Sequence, residues 1–330
     1  MKCYFAPMEG ITGYLFRNAH HKYFPHVDGY FTPFLSPTQN HRFTPKELQD
    51  IVPEHNEGLF LVPQLLTRKA EDFIWAAKEL QAMGYGEVNL NLGCPSGTVT
   101  AKGKGSGFLG DIDALDAFLD EIFSALDMEI SVKTRLGLHS ADEIFDLMER
   151  FNKYPMKELI IHPRVRGDFY KNTPDRKRFG EVLPLSRNPV WYNGDIFTKE
   201  DYRRFHEDFP FTDHIMMGRG LTANPALVEE IKGIATSGKE TLLQFHDELY
   251  HSYLEAIQGE KNTLFKMKEL WSYLIFSFQE CGGQGDGETS VRREKYEKRI
   301  RKANGRTEYE AAVAAVFKEL ELKEGGGFPS

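Results

Sequence analysis

Cysteine is scarce. The 330 residues hold three, Cys3, Cys94 and Cys281, far apart in the chain. With no CxxC and no metal-ligand spacing among them, neither a disulfide framework nor a metal site is expected, and a reducing cytoplasm with free thiols is. Long apolar runs are missing too. Nothing approaches the roughly 20 residues a membrane span needs, so no membrane partner is expected. The opening Met1-Lys-Cys-Tyr-Phe-Ala-Pro7 lacks a signal-peptide core and reads as a strand. Positive charge is not in excess either. The formal net charge is −8, which for the chain taken whole argues against a nucleic-acid partner. There is no internal repeat beyond strand–helix units and no low-complexity tract.

What is present is organised around Glu87-Val-Asn-Leu-Asn-Leu-Gly-Cys-Pro-Ser96. Val88, Leu90 and Leu92 alternate with Asn89 and Asn91, a period of two that predicts a strand. Gly93 and Pro95 end it with Cys94 between them. Gly97, Gly103, Gly105 and Gly107 follow, backbone that can approach a ligand closely. A free cysteine by itself is more often a small buried hydrophobe than a reagent.

Seven further strands are expected: Lys2 to Ala6, Gly29 to Phe34, Leu59 to Leu65, Glu129 to Thr134, Glu158 to His162, Pro189 to Asn193 and His214 to Met217. Helical patterns separate several of them. Thr67 to Leu80 starts on a capping threonine, and Ser140 and Glu143 have capping-box spacing ahead of a helix to Phe151. Asp113 to Leu126 and Thr198 to Phe209 behave alike. Eight strands alternating with helices over about 230 residues predict an α/β fold, a (β/α)8 TIM barrel. Chemistry in such a barrel sits at the C-terminal ends of the strands. Polar or special residues do gather there: Pro7, Met8 and Glu9, then Gln64, then Asn91 and Cys94, then Lys133, then His162 and Arg164, then Asn193, Gly194 and Asp195, then Gly218 and Arg219.

Each has more than one reading. Gly218-Arg-Gly220 and Asn193-Gly-Asp195 are turn sequences, but on adjacent final strands they also suit a phosphate, held by backbone N–H groups and a guanidinium. Lys133 is a Schiff-base lysine, a cation for an anionic ring, or a side chain reaching the rim. His162, expected to face Lys133 from the neighbouring strand, favours a functional role. Gln64 suits the edge of a heterocycle.

Residues 1–235 thus form the barrel. Ser237-Gly238 reads as a linker into a helical domain over 240–322, with helices at Thr241 to Ile257, Asn262 to Phe278 and Glu308 to Leu322 and a glycine loop at 282–287. The segment 323–330 is expected to be disordered. Between Val291 and Lys302 lie Arg292, Arg293, Lys295, Lys298, Arg299, Arg301 and Lys302, opposed only by Glu294 and Glu297. Arg292, Lys295 and Arg299 share a helix face. Such a run is a solvated face or a phosphate-contacting one.

The Asn-Leu-Gly-Cys-Pro stretch, with the other strand ends, resembles the tRNA-dihydrouridine synthases over the whole barrel. These are flavoenzymes that reduce uridine in tRNA. The resemblance implies FMN as cofactor, NADPH or NADH as reductant and tRNA as substrate. It implies hydride delivery from flavin N5 to uracil C6 and a proton from Cys94 to C5. Pro7, Met8 and Glu9 resemble the first flavin-contacting loop. Gln64 resembles the residue on the isoalloxazine edge, Lys133 the one at its N1 and O2 side, and His162 the histidine beside it. Asn193, Gly194, Asp195, Gly218 and Arg219 resemble the phosphate and ribityl site. Asn91 and Tyr170 resemble uracil contacts. Arg292, Arg293, Lys295, Lys298 and Arg299 then become candidates for tRNA phosphates. The chain departs from the family's usual pattern at Pro163, Val165 and Asp168. The Pro-Met-Glu-Gly opening and Gly-Cys-Pro-Ser element resemble the subgroup acting at D-loop position 16.

The alternative is another FMN barrel acting on a small molecule, dihydroorotate-dehydrogenase-like; the basic helical tail speaks against it. A tRNA-binding module without catalysis is opposed by Cys94, Lys133 and His162 together, and a Schiff-base aldolase by any bound flavin. A monomer is expected.

Overall fold

Eight parallel strands close on one another in the computed structural model, which describes residues 1–280, 286–323, 325–326 and 328. They are β1 (Lys2–Phe5), β2 (Gly29–Phe31), β3 (Leu61–Val62, resuming as Gln64–Leu65 beyond Pro63), β4 (Glu87–Leu92), β5 (Glu129–Gly137), β6 (Leu159–Val165), β7 (Val190–Asn193) and β8 (His214–Met217). Pro63 has no N–H to give a ladder, so it divides β3. The first half of β3 pairs with β2 and the second with β4. β1 pairs with β8, from Lys2 opposite His214 to Phe5 opposite Met217, which completes the ring. The chain has the expected α/β barrel fold, with helices after it.

One side of the barrel interior is filled by Tyr4, Ala6, Phe31, Val62, Ile160, Trp191 and Met216. Tyr4 stacks on Trp191 with centroids 4.2 Å apart. The other side is polar. Gln64 lies opposite Asn89 across β3 and β4, and Asn89 opposite Ser131 across β4 and β5. All three are fully buried.

Two compact units divide the described chain. The first, residues 1–9, 28–194 and 208–217, holds every barrel strand. The second, residues 10–27, 195–207 and 218–330, holds the helices Lys239–Ala256, Glu260–Leu274, Asp286–Lys302 and Arg306–Glu319. Two of the expected helices stop early. Phe278–Glu280 and Leu320–Leu322 are strands, β9 and β10, paired antiparallel. The end of the chain, expected to be disordered, has contacts where it is described: Phe328 packs on Phe197, Tyr273 and Phe276, and the Lys323 N–H donates to Ser277 O at 2.9 Å. Of the expected glycine loop at 282–287, residues 282–285 lie outside the described residues, and Asp286 and Gly287 open a helix.

Glu143 takes part in capping as expected, but differently. Its carboxylate accepts the N–H groups of Leu138, His139 and Ser140 at 2.7–3.1 Å, and the helix starts at Glu143 itself.

Candidate active site at the mouth of the barrel

Cys94 follows the last residues of β4, and its own backbone fixes it. Asn91 Oδ1 accepts the N–H groups of Gly93 and Cys94 at 3.0 and 2.9 Å. The Cys94 carbonyl accepts the N–H and the hydroxyl of Ser106 at 3.1 and 2.9 Å. The glycines after it serve this packing. A Cβ on Gly105 would lie 2.8 Å from Cys94 O at a φ of +56°, and one on Gly107 would lie 2.7 Å from Thr100 O. Burial pushes the half-buried Cys94 thiol up, against the pull of Arg135 and Lys133. It is therefore a thiol, not a thiolate, at neutral pH.

Lys133 sits opposite Asn91 across β4 and β5. Burial, then the Arg135 cation, lowers its ammonium to about 7. A lysine held this way is receptive to an electron-rich group, which would restore its charge.

His162 is not opposite Lys133. The register pairs Lys133 with Ile160 and Arg135 with His162, so the expected Lys133–His162 juxtaposition is corrected by one strand step of two residues. His162 Nε2 accepts from Arg164 Nη1 at 2.8 Å, which places its ring proton on Nδ1. Tyr170 comes to the same place. Its ring lies 5.9 Å from that of His162 and 5.6 Å from the Arg135 guanidinium, and it is 54% exposed. Asp168, where the family pattern differs, ties its own turn: it accepts from Val165 N and Asn172 Nδ2.

Strand-end chemistry alone gives Arg135 no role, yet the structure does. It is 1% exposed and donates to Gly93 O, Val165 O and Phe169 O at 2.8, 3.0 and 3.0 Å. It thereby ties the Cys94 turn to the Tyr170 loop. One signal for it exists in the sequence: it lies two residues beyond Lys133, hence on the same strand face.

Gln64 donates to Asn89 Oδ1 at 2.8 Å and accepts from Asn91 Nδ2 at 2.7 Å. Pro7 and Met8 are half-buried after β1, and exposed Glu9 pairs with Lys46 at 3.2 Å. Asn193 donates to Met216 O at 2.8 Å, and a Cβ on Gly194 would strike the Tyr192 hydroxyl at 2.1 Å. In the second unit, Asp195 and Arg219 form an ion pair at 2.5 Å, with the guanidinium over the Phe197 ring at 5.1 Å. Gly218 precedes the short helix Arg219–Ala223. Also in that unit, Lys295, Lys298 and Arg299 are exposed, and Arg293 lies 4.6 Å over the Phe276 ring. The Arg292 side chain lies outside what is described.

A family model described as dihydrouridine synthase matches residues 4–314. The chain belongs to that family. It is a family of flavin-dependent oxidoreductases. A probable tRNA-dihydrouridine synthase 1 from Synechocystis is 29% identical over 237 residues, 71% of this chain and 65% of that protein, just under two thirds of its length. A probable tRNA-dihydrouridine synthase from Staphylococcus aureus is 29% identical over 80% of each chain. A tRNA-dihydrouridine(16) synthase from Pseudomonas putida is 28% identical over 85% of this chain and 90% of its own. Among solved structures, a variant of NCR from Zymomonas mobilis superposes with a TM-score of 0.52 at 14% identity, over 72% of this chain and 88% of the other. Morphinone reductase gives 0.51 at 13% identity, over 74% and 88%. These last two likenesses concern the fold alone.

Proposed function

We propose that this dihydrouridine synthase reduces the C5=C6 bond of a D-loop uridine in tRNA, with FMN as its cofactor and NADPH or NADH as its reductant. The observation that carries this is a protonated thiol just beyond β4 together with a lysine within the neighbouring β5 whose ammonium burial lowers.

The residues fit a flavin. Lys133 is a cation lowered to about 7 by its burial, and the electron-rich N1 and O2 side of an isoalloxazine suits it. Gln64, its carboxamide held at both ends, would meet the ring edge, and His162 would lie beside it. Pro7, Met8 and Glu9 would contribute backbone. Asn193 and Gly194 are one candidate group for the phosphate and ribityl chain, and Asp195, Gly218 and Arg219, in the second unit, are a separate candidate group. Bound FMN supplies the hydride.

The chain's own residues do the rest. Cys94 Sγ holds a proton and gives it to C5, and its raised affinity for that proton keeps it loaded at neutral pH. Asn91 keeps the turn in place, and Tyr170 and Arg135 offer a platform for the base. The base must leave its stack, at a cost of a few kcal/mol. Lys295, Lys298 and Arg299, with Arg292 and Arg293, would take tRNA phosphates. We assign the target to position 16 of the D-loop, which the Pro-Met-Glu-Gly opening and the named activity of the Pseudomonas putida relative favour.

The test is Cys94→Ala. The variant retains flavin and its reduction by NADPH. It loses reduction of tRNA by a factor of roughly 10² or more, the ordinary worth of a positioned acid. Loss of flavin together with activity would make Cys94 structural instead.

A further inference from the structure

The polar side of the barrel is one continuous, directional chain. At its upper end the Gly93 and Cys94 N–H groups can only donate, so Asn91 must present Oδ1 to them. Its Nδ2 then faces Gln64 Oε1 at 2.7 Å. Gln64 must in turn give Nε2 to Asn89 Oδ1 at 2.8 Å. Asn89 gives Nδ2 to Ser131 Oγ at 2.9 Å, and Ser131 gives its proton to Glu87 Oε1 at 2.6 Å. The lower end is pinned as an acceptor, because Lys157 Nζ lies 3.2 Å from the other Glu87 oxygen. No carboxamide in the chain can flip alone without setting donor against donor or acceptor against acceptor. All of these side chains are buried, where such a mismatch is costly.

We infer that Glu87, Ser131 and Asn89 are positioning residues. They fix the amide orientation of Gln64 and Asn91, and through Asn91 the placement of the Cys94 turn. None of the three belongs to the candidate flavin or base contacts. The chain carries orientation, not protons, because its amides would have to tautomerise to pass one. The inference rests on the proposed role of Cys94 as acid and says how that acid is held.

The test needs neither flavin turnover nor tRNA. Iodoacetamide alkylation of Cys94, read peptide by peptide, is followed against pH in the full chain and in Ser131→Ala, Ser131→Cys and Glu87→Gln. Ser131→Ala cuts the chain, frees the Asn89 and Gln64 amides and loosens the turn. The thiol is then less buried, its midpoint moves down, and alkylation at pH 7 quickens about tenfold, as a shift of one pK unit requires. Glu87→Gln keeps an acceptor for Ser131 only by turning its amide NH2 towards Lys157, so it loosens the lower end of the chain and moves the Cys94 midpoint the same way, by less than Ser131→Ala. The isosteric Ser131→Cys, a weak donor and acceptor, gives an intermediate change and serves if Ser131→Ala does not fold. An unchanged Cys94 profile in whichever Ser131 variant folds would overturn the inference and leave the chain as core packing. The proposed function fails separately, through the absence of dihydrouridine in tRNA with the alkylation response intact.

Discussion

Cys94 and Lys133 are moved by the same cause in directions that suit their proposed roles. Burial favours the neutral form of each, so the thiol keeps its proton and the lysine gives its proton up more readily. For an acid in catalysis this sets the pH dependence. The single-turnover rate of tRNA reduction stays flat through neutrality and falls only where the thiol ionises, above the ordinary thiol range. Reduction of the flavin by NADPH does not share that limb, and rapid-mixing kinetics across pH separates the two. For Lys133, a group near 7 is largely neutral at pH 8, and an electron-rich ring edge returns its charge. FMN binding at pH 8 therefore takes up a fraction approaching one proton. Calorimetry in two buffers of different ionisation heat measures it, and Lys133→Met abolishes it. Both residues are legible in the sequence because each lies at or near the end of an expected alternating strand, although in the structure the strand of Lys133 runs on to Gly137. Arg135 shares the strand face of Lys133, but its role, like that of the Asn89–Ser131 pair, is not legible there. Their roles come from cross-strand register and from which carbonyls lie within reach, and neither is written in local pattern. The same gap explains His162, placed opposite Lys133 by strand order but opposite Arg135 by register.

At the scale of elements, the strands of the barrel are where alternation and strand-end chemistry put them, while the C-terminal elements are not. Leu320-Glu-Leu322 places its leucines two apart, which continues a helix pattern poorly and a strand well, yet its partner Phe278–Glu280 lies some forty residues away in the chain. Only pairing decides such a segment. At the lower ends of β4 and β6 the side chains of Glu87 and Glu158 come together. Burial first, and the Glu87 charge next, push the Glu158 carboxyl up to about 9. The folded chain holds a proton that the unfolded chain releases near the ordinary carboxylate value. Its stabilisation is complete below that value and declines as pH rises towards 9. Denaturant titrations from pH 5 to 8.5 show a falling stability, and Glu158→Gln flattens the fall. The glycine turn after Cys94 gives a second test. Gly105→Ala forces a side chain into a left-handed backbone with its Cβ 2.8 Å from Cys94 O. It costs about 1–3 kcal/mol of stability, measured by the same titrations, and hastens Cys94 alkylation.

For the whole molecule, a net charge of −8 points away from nucleic acid, whereas the proposed substrate is tRNA. The resolution lies in distribution. Positive charge is concentrated in the helix Asp286–Lys302, where Lys295, Lys298 and Arg299 face solvent. Charge reversal at these three lowers tRNA affinity and reduces the slope of log affinity against log salt by up to about three, close to one for each phosphate no longer neutralised. Flavin content is unchanged. Filter binding over a salt series checks it. No helix among the described residues is long and apolar enough to cross a membrane, which agrees with the absence of apolar runs in the sequence.

The measurement that bears most directly on the proposed function is mass-spectrometric mapping of dihydrouridine in tRNA from cells lacking this gene, complemented with the wild-type chain or with Cys94→Ala. The expected result is that one D-loop uridine, at position 16, loses its gain of about two daltons, recovers it with the wild-type chain and does not with Cys94→Ala. Full modification of every position in the deleted cells, or full recovery with Cys94→Ala, would contradict the proposal.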